Sequence, residues 1–164
     1  MITLKNSLFF LMLTLYLYVI YTVYHYYTTS DGSISSIIKN EDCNRIVFTN
    51  MSIMCTATIF YEALRCDLFS FASVFFLITG VIGVILYDCT LYHTLHYTFC
   101  FMVFISILFF MYYHCYRVNH IILYLLLYLQ EILCAVTMLE TNIINCEIYL
   151  LANFAVYYIY LHFV

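Results

Sequence analysis

Charge is what this sequence is shortest of. Its 164 residues include only five Lys and Arg and nine Asp and Glu, against 66% hydrophobic residues and a mean hydropathy of +1.00. A soluble domain of this size needs a far more charged surface. That shortage excludes an ordinary water-soluble globule and leaves one integral membrane unit. The net charge of −4 is small and dispersed, so there is no basic footprint for nucleic acid. Trp and Pro are absent and Gly occurs three times. Without Trp, the aromatic belts at the membrane surfaces fall to Tyr, of which there are 19. The phosphate-cradling G-x-x-x-x-G-K, the nucleophile turn G-x-S-x-G and the redox pair C-x-x-C do not occur, and no 20–50-residue repeat is evident. Eight cysteines are present, but seven lie in or beside apolar runs, where Cys acts as a small hydrophobe. Cys43 alone is expected in a polar loop.

What is there is a series of apolar runs. They predict an all-α fold, a single polytopic domain of six transmembrane helices at about 8–27, 46–63, 68–86, 95–115, 121–139 and 146–163. The first run is too long for a signal segment and lacks its cleavage site, so it is expected to stay as a mature helix. Residues 28–45 form the one long hydrophilic connector, with an Asp31-Gly32 turn signal. The second span is the most polar. Its Thr49, Asn50, Ser52, Thr56 and Thr58 are expected at helix–helix contacts. Glu62, Arg65 and Asp67 read as a short solvated turn. In the third span Ala72, Thr79 and Gly83 share a face, with Gly80 beside them, which favours close approach of a neighbouring helix. Lys5, Arg65 and Arg117 fall on one side of such a bundle and Lys39 and Arg45 on the other. The positive-inside rule then places both termini in the cytosol.

The stretch 87–97 separates two long apolar runs and holds one carboxylate and two of the six histidines. The predicted topology brings Asp88, His93, His96 and Glu147 to one membrane face, together with Glu140. Their functional reading is a polar pocket touching a lipid headgroup or a metal; the plainer one is an interfacial hydrogen-bond cluster joining helices. Asp88, His93 and His96 would make three ligands, resembling those of integral-membrane zinc hydrolases. With only one His pair, the expectation stays at no metal and no cofactor. Glu131, expected near mid-bilayer, is costly there. It is expected to be a neutral structural residue bonded to Asn50, Ser52 or Asn153, with proton coupling as the alternative. His114 reads as a snorkelling interface residue.

Six spans, Ser30-Asp31-Gly32 early in the first lumenal loop, and a cysteine shortly before the second span resemble the damage-regulated autophagy modulator family. Its superfamily includes the FGF-receptor-activating-protein-like and GPI-anchor lipid-remodelling proteins. Ser30, Asp31, Gly80, Gly83, His93 or His96, and Glu147 are the matching positions. The loop departs from the family's pattern in lacking prolines and in spacing Gly32 one residue tighter. The resemblance implies an endomembrane protein (ER/Golgi or endolysosomal) with membrane lipids as partners and a role in autophagy or lipid-anchor remodelling. It transfers positions but no catalytic roles. The two rivals are a membrane-embedded metal-dependent lipid hydrolase using Asp88, His93 and His96, and a structural or partner-binding membrane subunit.

Overall fold

The computed structural model describes residues 2–28, 32–87, 90–137, 139 and 143–164, which form helices and, among the described residues, no strand. The helices are α1 (Ile2–Tyr26), α2 (Ile34–Ile38), α3 (Glu41–Arg65), α4 (Leu68–Leu86), α5 (His93–Val118), α6 (Ile121–Thr137) and α7 (Ile144–Phe163). Five of them are long and apolar enough to cross a membrane: α1 over Thr3–Tyr26, then α3, α4, α5 and α7. The sixth apolar run forms α6, which at 17 residues is shorter than the expected 121–139. The expected positions 138 and 140 lie outside the described residues. The perimeter displays large apolar side chains such as Phe10, Leu17, Phe60, Phe75, Phe101 and Leu125. So large an exposed apolar surface suits hydrocarbon rather than water.

Local chemistry explains where the helices start and stop. α3 begins at Glu41 rather than at the expected 46, because Asn40 accepts from the backbone N–H of Asp42 and Cys43, both at 3.1 Å. Glu41 and Asp42 then complement the positive end of the helix dipole. This early start carries Cys43 out of the expected polar loop into α3, where it is a fully buried free thiol. Ser33 and Ser36 cap each other at the N-terminus of the short α2, a helix within the stretch expected to be a plain connector. α3 stops at Cys66 (φ 56°) and α5 at Asn119 (φ 54°), both in the left-handed region that ends helices. Asp67 caps α4 by accepting from the Ser70 N–H at 3.1 Å. Only two residues separate α3 from α4, and two separate α5 from α6.

α4 packs most closely on α5, α1 on α3, and α6 on α7. The α4–α5 contact rests on Gly80 and Gly83, both buried, while Ala72 and Thr79 are half-buried. A Cβ at Gly80 would lie 2.9 Å from Val103 Cγ2 and 3.1 Å from the Val103 backbone nitrogen; one at Gly83 would run into the Phe99 ring. Small residues let the two backbones approach. The main core joins Val74 and Ile78 of α4, Ile107, Phe110 and Met111 of α5, Leu123 and Leu127 of α6 and Tyr157 of α7. A second cluster seats Ile37 and Ile38 of α2 against Val23, Val47, Ile85 and Ile144. Polar groups pin α7 to its neighbours. Asn153 donates to the Leu126 carbonyl (2.9 Å) and to Gln130 Oε1 (2.7 Å), and the Tyr157 hydroxyl donates to the Met111 carbonyl (2.7 Å).

The polar residues of α3 behave differently from expectation. Thr49, Asn50, Ser52, Thr56 and Thr58 each donate to the carbonyl four residues earlier in their own helix, at 2.7–2.9 Å. In an apolar medium the nearest unshared carbonyl lone pair is on the same helix, so the side chain is satisfied there rather than across an interface.

Candidate functional site

Side-chain hydrogen bonds that join separate elements gather at both ends of the bundle. At the end carrying α2 and the 87–97 stretch, Tyr87 caps α4 in extended backbone, and its carbonyl accepts from His96 Nδ1 at 2.8 Å. That bond fixes the imidazole, which is 3% exposed, with the proton on Nδ1. His93 opens α5 on its outer side; it is exposed and lies against Tyr97 at 4.5 Å with the two rings tilted. Glu147 sits one turn into α7 and accepts from the Ile34 N–H at 2.7 Å, so it caps the first turn of α2. The Gly32 carbonyl accepts from the Ile143 and Ile144 N–H groups at 3.0 and 3.1 Å. The first loop is thus tied to the start of α7 from both sides. Of the residues expected in one pocket, His93, His96 and Glu147 have these three separate sets of partners. Asp88, Glu140, Ser30 and Asp31 lie outside the described residues.

Beside His96 an open groove of about 300 Å³ runs between α2, the start of α3 and the end of α4. Lys39, Glu41, Asn44, Arg45, Tyr87 and His96 line it. Arg45 pairs with Asp42 at 3.1 Å, but both side chains are largely exposed, so the pair adds little to stability. The groove offers two cationic heads, a carboxylate and an imidazole within one concave site at the edge of the apolar region.

At the opposite end, polar groups face one another inside the protein. Glu62 is fully buried at the end of α3. It accepts from Arg65 (3.3 Å), from the Ser70 hydroxyl (2.6 Å) and from the Tyr158 hydroxyl, so donors from α3, α4 and α7 converge on one carboxylate. Ser70 also contacts His114 Nε2 of α5 at 3.1 Å. The hydroxyl has one proton and gives it to Glu62, so His114 Nε2 must donate to Ser70. His114 Nδ1 then carries the lone pair that faces Arg65 at 3.5 Å. This polarity is the reverse of a nucleophilic serine, whose hydroxyl donates to the imidazole. The arrangement joins four helices and does not activate Ser70. Next to it, Asp67 accepts from Tyr113 at 3.0 Å and from Arg117. Burial pushes the Asp67 carboxyl up, but the Ser70 N–H, the Tyr113 hydroxyl and the Arg117 guanidinium outweigh it and hold it below the usual carboxylate range. Tyr61 meets His162 Nδ1 at 2.7 Å, and Phe9 stacks on His162 at 3.9 Å, which closes α1 onto α3 and α7.

Glu62, Arg65 and Asp67 are therefore not a solvated turn, and His114, 1% exposed, does not snorkel. The sequence does hold a signal for part of this: Glu62 and Arg65 stand at i and i+3, and Asp67 precedes Ser70 by three, a capping spacing. His114 and Tyr158 carry no such signal. Glu131 also differs from expectation. It is half-buried on α6 and accepts from Tyr112 of α5; Asn153 is taken by Gln130, and Asn50 and Ser52 by their own helix. Among the described residues, no three His, Cys, Asp or Glu side chains gather as a metal would require. Comparisons with family models, with curated proteins and with solved structures find no match.

Proposed function

We propose that this is a lipid-interacting multi-pass membrane protein whose groove beside His96 takes the phosphate-bearing headgroup of a membrane lipid. The groove itself carries this reading. Lys39 and Arg45 offer charge-assisted donors for a phosphate, and the concave wall of Val84, Ile85 and Leu86 continues onto the apolar surface. Glu147, one position of the family resemblance, caps α2 where the first loop joins α7, which supports a role of the autophagy-modulator and GPI-anchor lipid-remodelling kind. α6 serves as a sixth span, because 17 residues at about 1.5 Å each reach the short end of the bilayer range. Six spans put both termini on one side. Lys5, Arg65 and Arg117 make that side cytosolic in an endomembrane compartment, with the groove on the lumenal face.

The test is native mass spectrometry of the detergent-solubilised protein with phosphatidylserine and with diacylglycerol, which has the same tails but no phosphate. Phosphatidylserine is expected to bind the more tightly. The double variant Lys39→Ala/Arg45→Ala should lose about tenfold or more, as expected when hydrogen bonds to a charged group are removed. Equal binding of the two lipids, or an unchanged affinity in the double variant, overturns the reading.

A further inference from the structure

Glu131 is a mid-helix acid that the bundle encloses only in part. It lies ten residues into α6, about 15 Å along the axis from Ile121 and about 9 Å from Thr137, so it is far from both ends of the helix. The interior beside it is already occupied: Gln130, its neighbour in sequence, is fully buried and holds Asn153. Glu131 points instead to the seam between α5 and α6, where the half-exposed Tyr112 is its one donor among the described residues. A carboxyl group has room for about four hydrogen bonds, and hydrocarbon supplies none. Half-buried, Glu131 keeps acceptor capacity open to its surroundings, and in lipid a stranded polar group costs free energy.

The same face carries an unused donor. Tyr128 lies three residues before Glu131, on the same side of the helix. It is 64% exposed, and its hydroxyl bonds to no other described residue. One turn beyond Glu131, Ala135 is exposed and small, which permits close approach of another helix. Leu125, Leu129 and Ile132 flank this line with exposed apolar surface. The face therefore presents an acceptor short of donors and a donor short of an acceptor, one helical turn apart. Such a patch complements a copy of itself turned by a two-fold axis along the membrane normal, the commonest closed symmetry.

We propose that the outer face of α6, with Tyr112 of α5, is the interface of a two-fold symmetric homodimer in which Tyr128 of each copy donates to Glu131 of the other. The carboxyl then takes one donor from its own chain and one from its partner, and both leave contact with lipid. Leu125 and Ile132 pack across the axis, and Ala135 sets the distance of closest approach.

Single-molecule photobleaching of the full chain in phosphatidylcholine vesicles, over a series of protein-to-lipid ratios, tests this. The parent protein is expected to pass from monomer to dimer as density rises. Tyr128→Phe keeps the ring, sits on the surface and folds; it should weaken dimerisation roughly eightfold, the effect of losing two intramembrane hydrogen bonds of average strength. A photoactivatable phenylalanine analogue at Leu125 should cross-link two copies, and one at Phe76 on the outer side of α4 should not. A chain that stays monomeric at every density overturns the proposal. So does dimerisation that ignores Tyr128→Phe, or cross-linking from Phe76 alone. The double variant Lys39→Ala/Arg45→Ala should dimerise like the parent, which separates this interface from the headgroup groove.

Discussion

The two ends of the bundle use similar residues to opposite effect. At the end holding Glu62, carboxylates, hydroxyls and an imidazole from α3, α4, α5 and α7 face one another, and Glu62 and His114 are sealed from the surroundings. At the end holding Glu147, that carboxylate caps α2, His96 holds the Tyr87 carbonyl, and Lys39 and Arg45 line an open groove, Arg45 in an exposed pair with Asp42. That contrast separates framework from site in a chain with few charges. A polar group whose partners are all other side chains of the bundle is committed to holding helices together. One that is bonded on a single side keeps capacity for a ligand. Connector length follows the same division. Two residues join α3 to α4 and two join α5 to α6 at the closed end, whereas longer stretches lead into α2, α5 and α7 at the open one.

The largest break in this contrast should come from Glu62→Ala. It would leave Arg65, Ser70 and the Tyr158 hydroxyl without their shared acceptor. Removing one partner of a buried ionic network costs about 3–5 kcal/mol, so little monodisperse protein should survive detergent extraction, and thermal melting of what remains should fall steeply. A variant as stable as the parent would show that the closed end is not the framework. Glu147→Leu should act more mildly and only locally. It strands one N–H of α2 and costs about 1–2 kcal/mol; hydrogen exchange at Ile34–Ile38 should speed up while α4 and α5 stay protected. Faster exchange across the whole chain would place Glu147 in the framework instead. The smallest effect is expected from acid at Asp67. Its carboxyl is held below the usual value, so its contribution is fully present above the unfolded value of about 3.9 and is lost as pH falls through the folded one. Because Arg117 is more than half exposed, that loss should stay below about 1 kcal/mol. Melting curves between pH 6 and pH 3 should show the drop vanish in Asp67→Asn; an equal drop in both proteins assigns it elsewhere.

Apolar length made the helices legible. The third expected span, 68–86, coincides with α4 because Asp67 and Tyr87 punctuate an unbroken apolar run. The early start of α3 was written in Asn40, Glu41 and Asp42, but a cap and two acids also describe a hydrophilic loop, and hydropathy weighs only the second meaning. Glu147 was legible as an intramembrane acid; its partner, a backbone N–H more than a hundred residues away, left no trace in composition. Glu62 and His114 were hidden because the end of a span is where polar residues are expected to meet water. Their burial depends on Tyr158 arriving from α7, a tertiary event. Glu131 was visible as a cost, but its direction depends on which face of α6 Gln130 claims.

The hydroxyls of α3 have a consequence for how sequences like this one can change over time. Thr49, Ser52 and Thr56 look like the chemistry of the chain, yet each closes its hydrogen bond on its own helix rather than on a neighbour. Exchange for Ala or Val removes the donor and leaves behind a carbonyl still bonded within the helix, so nothing else has to change with it. These positions are free to wander singly. Gly83 is not, because any side chain there meets the ring of Phe99, so Gly83 can change only if Phe99 changes with it. The span richest in polar residues is therefore where descent should leave the least memory, and a bare glycine is where it should leave the most.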